Sequence, residues 1–263
     1  MTGAIFGDIV GSVYEFHNIK TTDFELFSEG SFFTDDTVMT VALADALMMG
    51  DIRRDPRGFQ ALFVKTMHRY GERYPDAGYG ARFAHWLLYE ECEPYGSYGN
   101  GSAMRVSSVA WYADSLDEAI AFARLSAEVT HDHSEGIKGA ECTAGAIYLA
   151  RMGADKDAIR RFVERYYTLD FTLDEIRPTY TFNEICQDTV PEAITAFLES
   201  ESFEDAIRLA ISIGGDSDTI AAITGSIAEA FYGMSESEVN AIYRYLDGDL
   251  LATIEDFQSA ILS

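Results

Sequence analysis

The chain has 263 residues, of which 48% are hydrophobic and 13% aromatic, enough for a packed core. Its 44 acidic against 19 basic residues give a formal charge of −25, which disfavours a nucleic-acid surface built on phosphate neutralisation, and an anionic small ligand would need metal ions or helix N-termini to offset that field. No basic segment precedes an apolar run and Asp8 interrupts the first hydrophobic stretch, so neither a leader nor a membrane span is expected and the expected compartment is the cytoplasm.

Apolar residues recur at helical spacing in nearly every segment, and strand-like alternation is almost absent. Thr2 to Phe16 is predicted as a helix ending near Glu15, with Gly7 and Gly11 four apart so that a neighbouring backbone can come close. After a loop from His17 to Phe33, Thr34-Asp35-Asp36-Thr37 opens a helix over Asp36 to Met49, stopped at Gly50. Pro56 suits the first turn of a helix running through Phe59 to Tyr70, and Arg82 to Tyr89 forms the next. Tyr95 to Arg105 then carries glycines at 96, 99 and 101 and enters a helix over Ser102 to Trp111. This run reads either as a phosphate cradle or as a tight interhelical connection, and it matches neither the dinucleotide fingerprint nor a Walker loop.

Ser115 is placed to cap a helix over Leu116 to Val129, and Thr130-His131-Asp132-His133-Ser134 connects it to Glu135 through Met152. The His-x-His pair reads as a capping and hydrogen-bonding element or as a ligand contact; without a third histidine or a cysteine nearby, zinc is disfavoured, and His131 is the better substrate contact. Asp155 to Tyr167 is amphipathic, Thr168 to Asp188 is irregular, and helices resume at Glu192 to Leu198, Phe203 to Ile213, Thr219 to Tyr232, Glu236 to Leu246 and Leu250 to Ile261. No repeat or linker appears, so one compact all-α domain over residues 1–263 is expected. Cys92, Cys142 and Cys186 are odd in number and far apart, which predicts buried free thiols rather than disulfides or a structural zinc site.

Two acidic clusters stand at predicted helix starts: Thr34-Asp35-Asp36-Thr37, and Asp216-Ser217-Asp218-Thr219 behind Gly214-Gly215. Capping by Asp, Ser or Thr accounts for one side-chain oxygen at each. The second carboxylate in each is left over, and the two clusters together supply oxygen ligands for hard cations if the chain brings them together.

These clusters, with Gly7-Asp8-Ile9-Val10-Gly11-Ser12 and Glu15, the run Gly96-Ser97-Tyr98-Gly99-Asn100-Gly101-Ser102-Ala103-Met104-Arg105, and Thr130-His131, resemble the ADP-ribosylglycohydrolase family, in the family's order and over nearly the whole chain. The resemblance implies an orthogonal all-α helical bundle with a two-metal cleft, holding magnesium or manganese. The implied reaction is hydrolysis of the N- or O-glycosidic bond at the distal ribose of ADP-ribose, attached to a protein or to a small group, with no nucleic-acid or membrane partner. By position it implies Thr34, Asp35, Asp36, Asp216, Asp218 and Thr219 as metal ligands, and Glu15, Asp36 and Asp218 as catalytic residues. Ser97, Tyr98, Gly99, Asn100 and Gly101 correspond to the loop holding the diphosphate, and His131 to a ligand contact. Tyr74-Pro75-Asp76-Ala77-Gly78-Tyr79-Gly80 resembles a segment lining the cleft, where Asp76 either meets the guanidinium of an arginine-linked substrate or simply makes a turn. Helical isoprenoid synthases also use Asp-rich helices, but Asp35-Asp36-Thr37-Val38-Met39 lacks their third aspartate. A relative that only binds ADP-ribose would be marked by lost ligand aspartates, and none is missing.

Overall fold

The computed structural model describes residues 1–89 and 93–262, and within them the regular elements are helices joined by irregular segments. In chain order the helices are α1 (Thr2–Gly11), α2 (Asp35–Met49), α3 (Pro56–Arg73), α4 (Ala81–Leu87), α5 (Gly101–Met104), α6 (Ser107–Tyr112), α7 (Leu116–Glu128) and α8 (Ser134–Arg151). They continue with α9 (Lys156–Val163), α10 (Leu173–Ile176), α11 (Val190–Glu199), α12 (Phe203–Ser212), α13 (Ser217–Tyr232), α14 (Glu236–Tyr243) and α15 (Gly248–Leu262). The only strand-like pairing among the described residues is an isolated bridge between Gly99 and Ile185. None of the described helices is long and apolar enough to cross a membrane.

Local chemistry sets many of the helix starts. Asp55, Ser115, Asp155 and Ser202 each accept an amide from the first turn of the helix they precede. Thr172 with Glu175, and Ser235 with Glu238, form reciprocal capping boxes. Cys142 and Cys186 are buried free thiols, as expected, while Cys92 lies outside the described residues.

Helix α13 is the centre of the molecule. Every residue from Ser217 to Ala228 is buried, and the helix packs against α1, α8, α11 and α12. A helix surrounded in this way must be small or apolar on all sides, as Ile220-Ala221-Ala222-Ile223-Thr224-Gly225 is. Its contact with α1 is made backbone to backbone. A Cβ on Gly7 would stand 2.0 Å from the Ala221 carbonyl oxygen, and one on Gly11 would stand 2.5 Å from the Asp218 Cα. At the opposite end the amides of Thr2 and Gly3 donate to the Glu229 carboxylate at 3.2 and 2.8 Å, so the two helices run antiparallel and are fastened at both ends.

Two predicted helices differ most from those observed, and two others, Asp155 to Tyr167 and Glu236 to Leu246, end early, at Val163 and Tyr243. Helix α1 stops at Gly11, five residues short of Phe16: Ser12 keeps helical dihedrals and donates its amide to the Asp8 carbonyl at 2.8 Å, but the next closure is the tighter one from the Tyr14 amide to the Gly11 carbonyl at 2.8 Å, and the Ser12 hydroxyl accepts the Phe32 amide at 3.2 Å from the loop. Glu15 therefore sits in a bend beyond the helix, not at its end. The span from Ser102 to Trp111 divides into α5 and α6 around Arg105 and Val106, which turns the Arg105 side chain into the core.

Gly7→Ala is expected to destabilise the fold by about 3 kcal/mol, since the added methyl meets backbone that cannot rotate away. Denaturant unfolding would check this, and wild-type stability for the variant would show that α1 can move off α13.

Candidate active site

The helix starts of α2 and α13 meet beside the end of α1 and form one wall of a cleft of about 450 Å³, a size suited to a small-molecule ligand. Asp8, fully buried on α1, organises that wall. It accepts the Thr34 amide at 2.9 Å, the Thr34 hydroxyl at 2.7 Å, the Thr37 amide at 3.1 Å and the Thr37 hydroxyl. Thr34 in turn accepts the Asp36 amide at 3.3 Å. Capping of α2 is thus done by Thr34 and Asp8, which frees the carboxylates of Asp35 and Asp36 from that task.

The start of α13 is arranged similarly. Gly214 and Gly215 take positive φ values of 69° and 78°, conformations that favour glycine, and the chain turns sharply into the helix. Asn18 fixes this turn: its Oδ1 accepts the Gly215 amide at 2.7 Å, while its Nδ2 donates to the Gly215 carbonyl at 2.9 Å and the Glu15 carbonyl at 2.8 Å. Glu15 is thereby held next to the second acidic cluster. Asp216 makes no cap bond with its side chain; its Oδ2 accepts from Asn100 Nδ2 at 2.7 Å. Thr219 donates its hydroxyl to Asp36 Oδ2 at 3.2 Å and so ties the two helix starts together.

Carboxylate oxygens of Asp8, Asp36 and Asp218 lie within 4.8 Å of one another, and so do those of Glu15, Asp216 and Asp218. Burial is the largest influence on each of these groups and raises its pKa, to about 6 for Asp8, about 7 for Asp216 and about 8 for Glu15, where Asp218, Asp8 and Glu184 add repulsion. Asp35, Asp36 and Asp218 are pushed well above the ordinary carboxylate range by burial first and by neighbouring aspartates second. Asp36 Oδ1 is buried and has no hydrogen-bond donor among the described residues. A divalent cation fits this arrangement: it would give the orphaned oxygen a partner and relieve the repulsion, and a set of oxygen donors suits hard cations over zinc.

The expected ligand set is only partly what the structure gathers. Thr34, Asp35, Asp36, Asp216, Asp218 and Thr219 all line the cleft. The Thr34 hydroxyl donates its proton to Asp8, and Asp35 belongs to neither close carboxylate group, whereas Asp8 and Glu15 do. Asp8 was the residue sequence reasoning passed over; its signal was a charge inside an otherwise apolar helix.

The glycine-rich loop forms the opposite wall. Ser97, Gly99, Asn100 and Gly101 line the cleft, but Tyr98 does not: its ring turns outward toward His133, with centroids 5.3 Å apart. Between Gly96 and Asn100 four amides are already engaged, Gly96 by Asp132 at 2.6 Å, Ser97 by the Thr130 carbonyl at 3.4 Å, Gly99 by the Ser97 hydroxyl at 3.2 Å and Asn100 by the Glu184 carbonyl at 2.8 Å. The helix it enters has only four residues, so the loop offers its surface rather than a long helix dipole. The two histidines divide their roles: His133 caps α8 by accepting the Glu135 amide at 3.2 Å, and buried His131 lines the cleft. Burial, with Arg105 and Arg82 nearby, holds the His131 pKa well below its usual value.

Asp76 lies exposed at the mouth, where three phenylalanines missed in the sequence also line the cleft: Phe16, Phe32 and Phe182, which are 76%, 49% and 40% exposed. Phe16 and Phe182 stack with centroids 5.9 Å apart.

The sequence profile of the ADP-ribosylglycohydrolase family matches residues 1–256. The chain is 29% identical to human (Homo sapiens) ADP-ribosylhydrolase ARH3 over 96% of its own length and 90% of that protein. It is also 29% identical to the ADP-ribosylarginine hydrolase Tri1 of Pseudomonas putida (strain GB-1), over 89% of this chain and 70% of that one. In fold it is similar to a solved ADP-ribosylglycohydrolase-related protein complex, with a TM-score of 0.61 at 24% identity over 99% of this chain and 92% of the other. With acidic clusters able to hold metal at the junction of α1, α2 and α13, the chain belongs to the ADP-ribosylglycohydrolase family of hydrolases.

Proposed function

We propose that this protein cleaves the glycosidic bond between the distal ribose of ADP-ribose and an arginine side chain, using two divalent cations, magnesium or manganese. The observation that carries the metal-dependent reading is the convergence of the two acidic helix starts around the unpartnered Asp36 Oδ1. Asp36, Asp216 and Asp218 hold the cations, with Asp35, Thr34 and Thr219 at the same wall and Asp8 behind them. Bound there, the cations supply charge neutralisation and Lewis acidity for glycosidic cleavage.

The remaining work falls to side chains. Asn100 aims the Asp216 carboxylate, and Thr219 keeps α2 and α13 in register. Glu15, half-buried among carboxylates and carrying a pKa raised to about 8, is suited to hold or move a proton at its carboxyl group during bond cleavage. The glycine-rich loop and His131 take the diphosphate portion. Asp76 supports the arginine assignment, because an exposed carboxylate at the mouth pairs with a guanidinium, and the phenylalanine rim can stack on the same planar cation. The likeness to an ADP-ribosylarginine hydrolase agrees with this choice.

Chelation should abolish turnover and lower the melting temperature, and magnesium or manganese should restore both. Saturation at a hundredfold excess over Kd stabilises the folded state by about 2.7 kcal/mol. Asp36→Ala should lose metal binding and activity together, whereas Glu15→Gln should keep the metal and lose about 100-fold or more in kcat. Calorimetric metal titration beside hydrolysis rates checks the set, and a chelated protein that retains full activity would refute the metal-dependent reading.

Matched arginine- and serine-linked ADP-ribosyl peptides test the acceptor. Arginine-linked peptide should have the higher kcat/KM, and Asp76→Ala should lower it about tenfold while leaving the serine-linked rate alone. A preference for serine that Asp76→Ala does not change would overturn the arginine assignment and leave the hydrolase intact.

A further inference from the structure

Arg105 is a cation only 1% exposed, and no carboxylate among the described residues forms an ion pair with it. Burying an unpaired charge is costly, so its hydrogen bonds bear on what it is for. Nη2 donates to the Ser126 carbonyl at 2.9 Å and to the Thr130 hydroxyl oxygen at 2.8 Å. That hydroxyl, fully buried, lies 2.7 Å from His131 Nδ1.

A guanidinium has donors only, so the Thr130 proton cannot point at Arg105. Among the described residues His131 Nδ1 is the other partner of that hydroxyl, and it must accept the proton for the Thr130 O–H to be satisfied. We propose that Arg105 and Thr130 are positioning residues that lock His131 into the tautomer protonated on Nε2, making it a neutral, fixed hydrogen-bond donor to an anionic group of the ligand beside the glycine-rich loop.

The direction of the ring agrees. A Cβ on Gly101 would stand 3.2 Å from His131 Nε2, and one on Gly99 3.6 Å, so this edge of the imidazole lies along the loop. The Thr130 carbonyl accepts the amides of Tyr95 and Ser97, both at 3.4 Å, so the residue that sets the tautomer also anchors the loop. An unlocked neutral imidazole could present a lone pair there, which repels a phosphate oxygen; the lock leaves only the N–H. Burial and the neighbouring arginines keep the ring from becoming a cation instead. The identity of the ligand as ADP-ribose rests on the function proposed above, whereas the tautomer is a property of the free protein.

The test uses full-length protein labelled with 15N-histidine, with the His131 signal assigned by its loss in His131→Asn. Long-range 1H–15N spectra should show the Nε2–H tautomer in the wild type and in Thr130→Ser, and a mixture in Thr130→Val. Arg105→Gln, whose carbonyl can draw the Thr130 proton away, should give a similar mixture. By calorimetry, Thr130→Val should bind ADP-ribose about tenfold more weakly than Thr130→Ser, the effect of one charge-assisted hydrogen bond. An Nδ1–H tautomer in the wild type, or a Thr130→Val that keeps both tautomer and affinity, would overturn the lock. If wild-type protein does not bind ADP-ribose, the substrate reading fails, and the spectra of the free protein still decide the lock.

Discussion

Carboxylates of like charge buried against one another repel, and they persist in a fold only where protons or cations compensate them. At the junction of α1, α2 and α13 this protein gathers Asp8, Asp36, Asp216, Asp218 and Glu15 with burial that raises every one of their pKa values. Among the described residues Asp36 Oδ1 has no hydrogen-bond partner, and a bound cation would supply one. Capping therefore does not account for the cluster, since Thr34 and Asp8 already cap α2 and Asp216 makes no cap bond at α13, and its carboxylates could hold a metal ion.

The rest of the architecture holds that cluster in place. Close approach of α1 to α13 requires glycine at positions 7 and 11, and it sets the end of α1 against Ser217 and Asp218. From there Asp8 reaches α2, Asn18 reaches the Gly214–Gly215 turn, and Asn100 reaches Asp216 from the opposite wall. Each of these bonds spans a large separation in sequence. A shift of α1 along α13 would disturb the acidic cluster and the bend carrying Glu15 together, so stability of the helix pair and geometry of the cleft are coupled.

Much of this was legible in the residues. Helical spacing, the Ser115 cap, the Gly7 and Gly11 spacing and the doubled carboxylates all have local causes, and they predicted the all-α fold and the two acidic helix starts. Asp8 was read as an interruption because its four donors come from Thr34 and Thr37, which only the tertiary fold brings near. Likewise the end of α1 is tied to the loop by the Phe32 amide, which donates to the Ser12 hydroxyl, a contact invisible to periodicity. Tyr98 and Asn100 belong to a run whose residues alone left a phosphate cradle and a tight connection both open, and the turn that aims one ring outward and one amide at Asp216 depends on pairing with Glu184 and Cys186. The phenylalanine rim comes from two irregular segments far apart in the chain, and nothing in either alone marks it as part of a cleft.

The central claim is that the acidic cluster between the starts of α2 and α13 is a divalent-metal centre. Crystals grown with manganese and measured at its absorption edge test this directly. The account predicts two anomalous peaks in contact with the carboxylates of Asp36, Asp216 and Asp218; a map without a peak among these residues, from crystals of active protein, would contradict it.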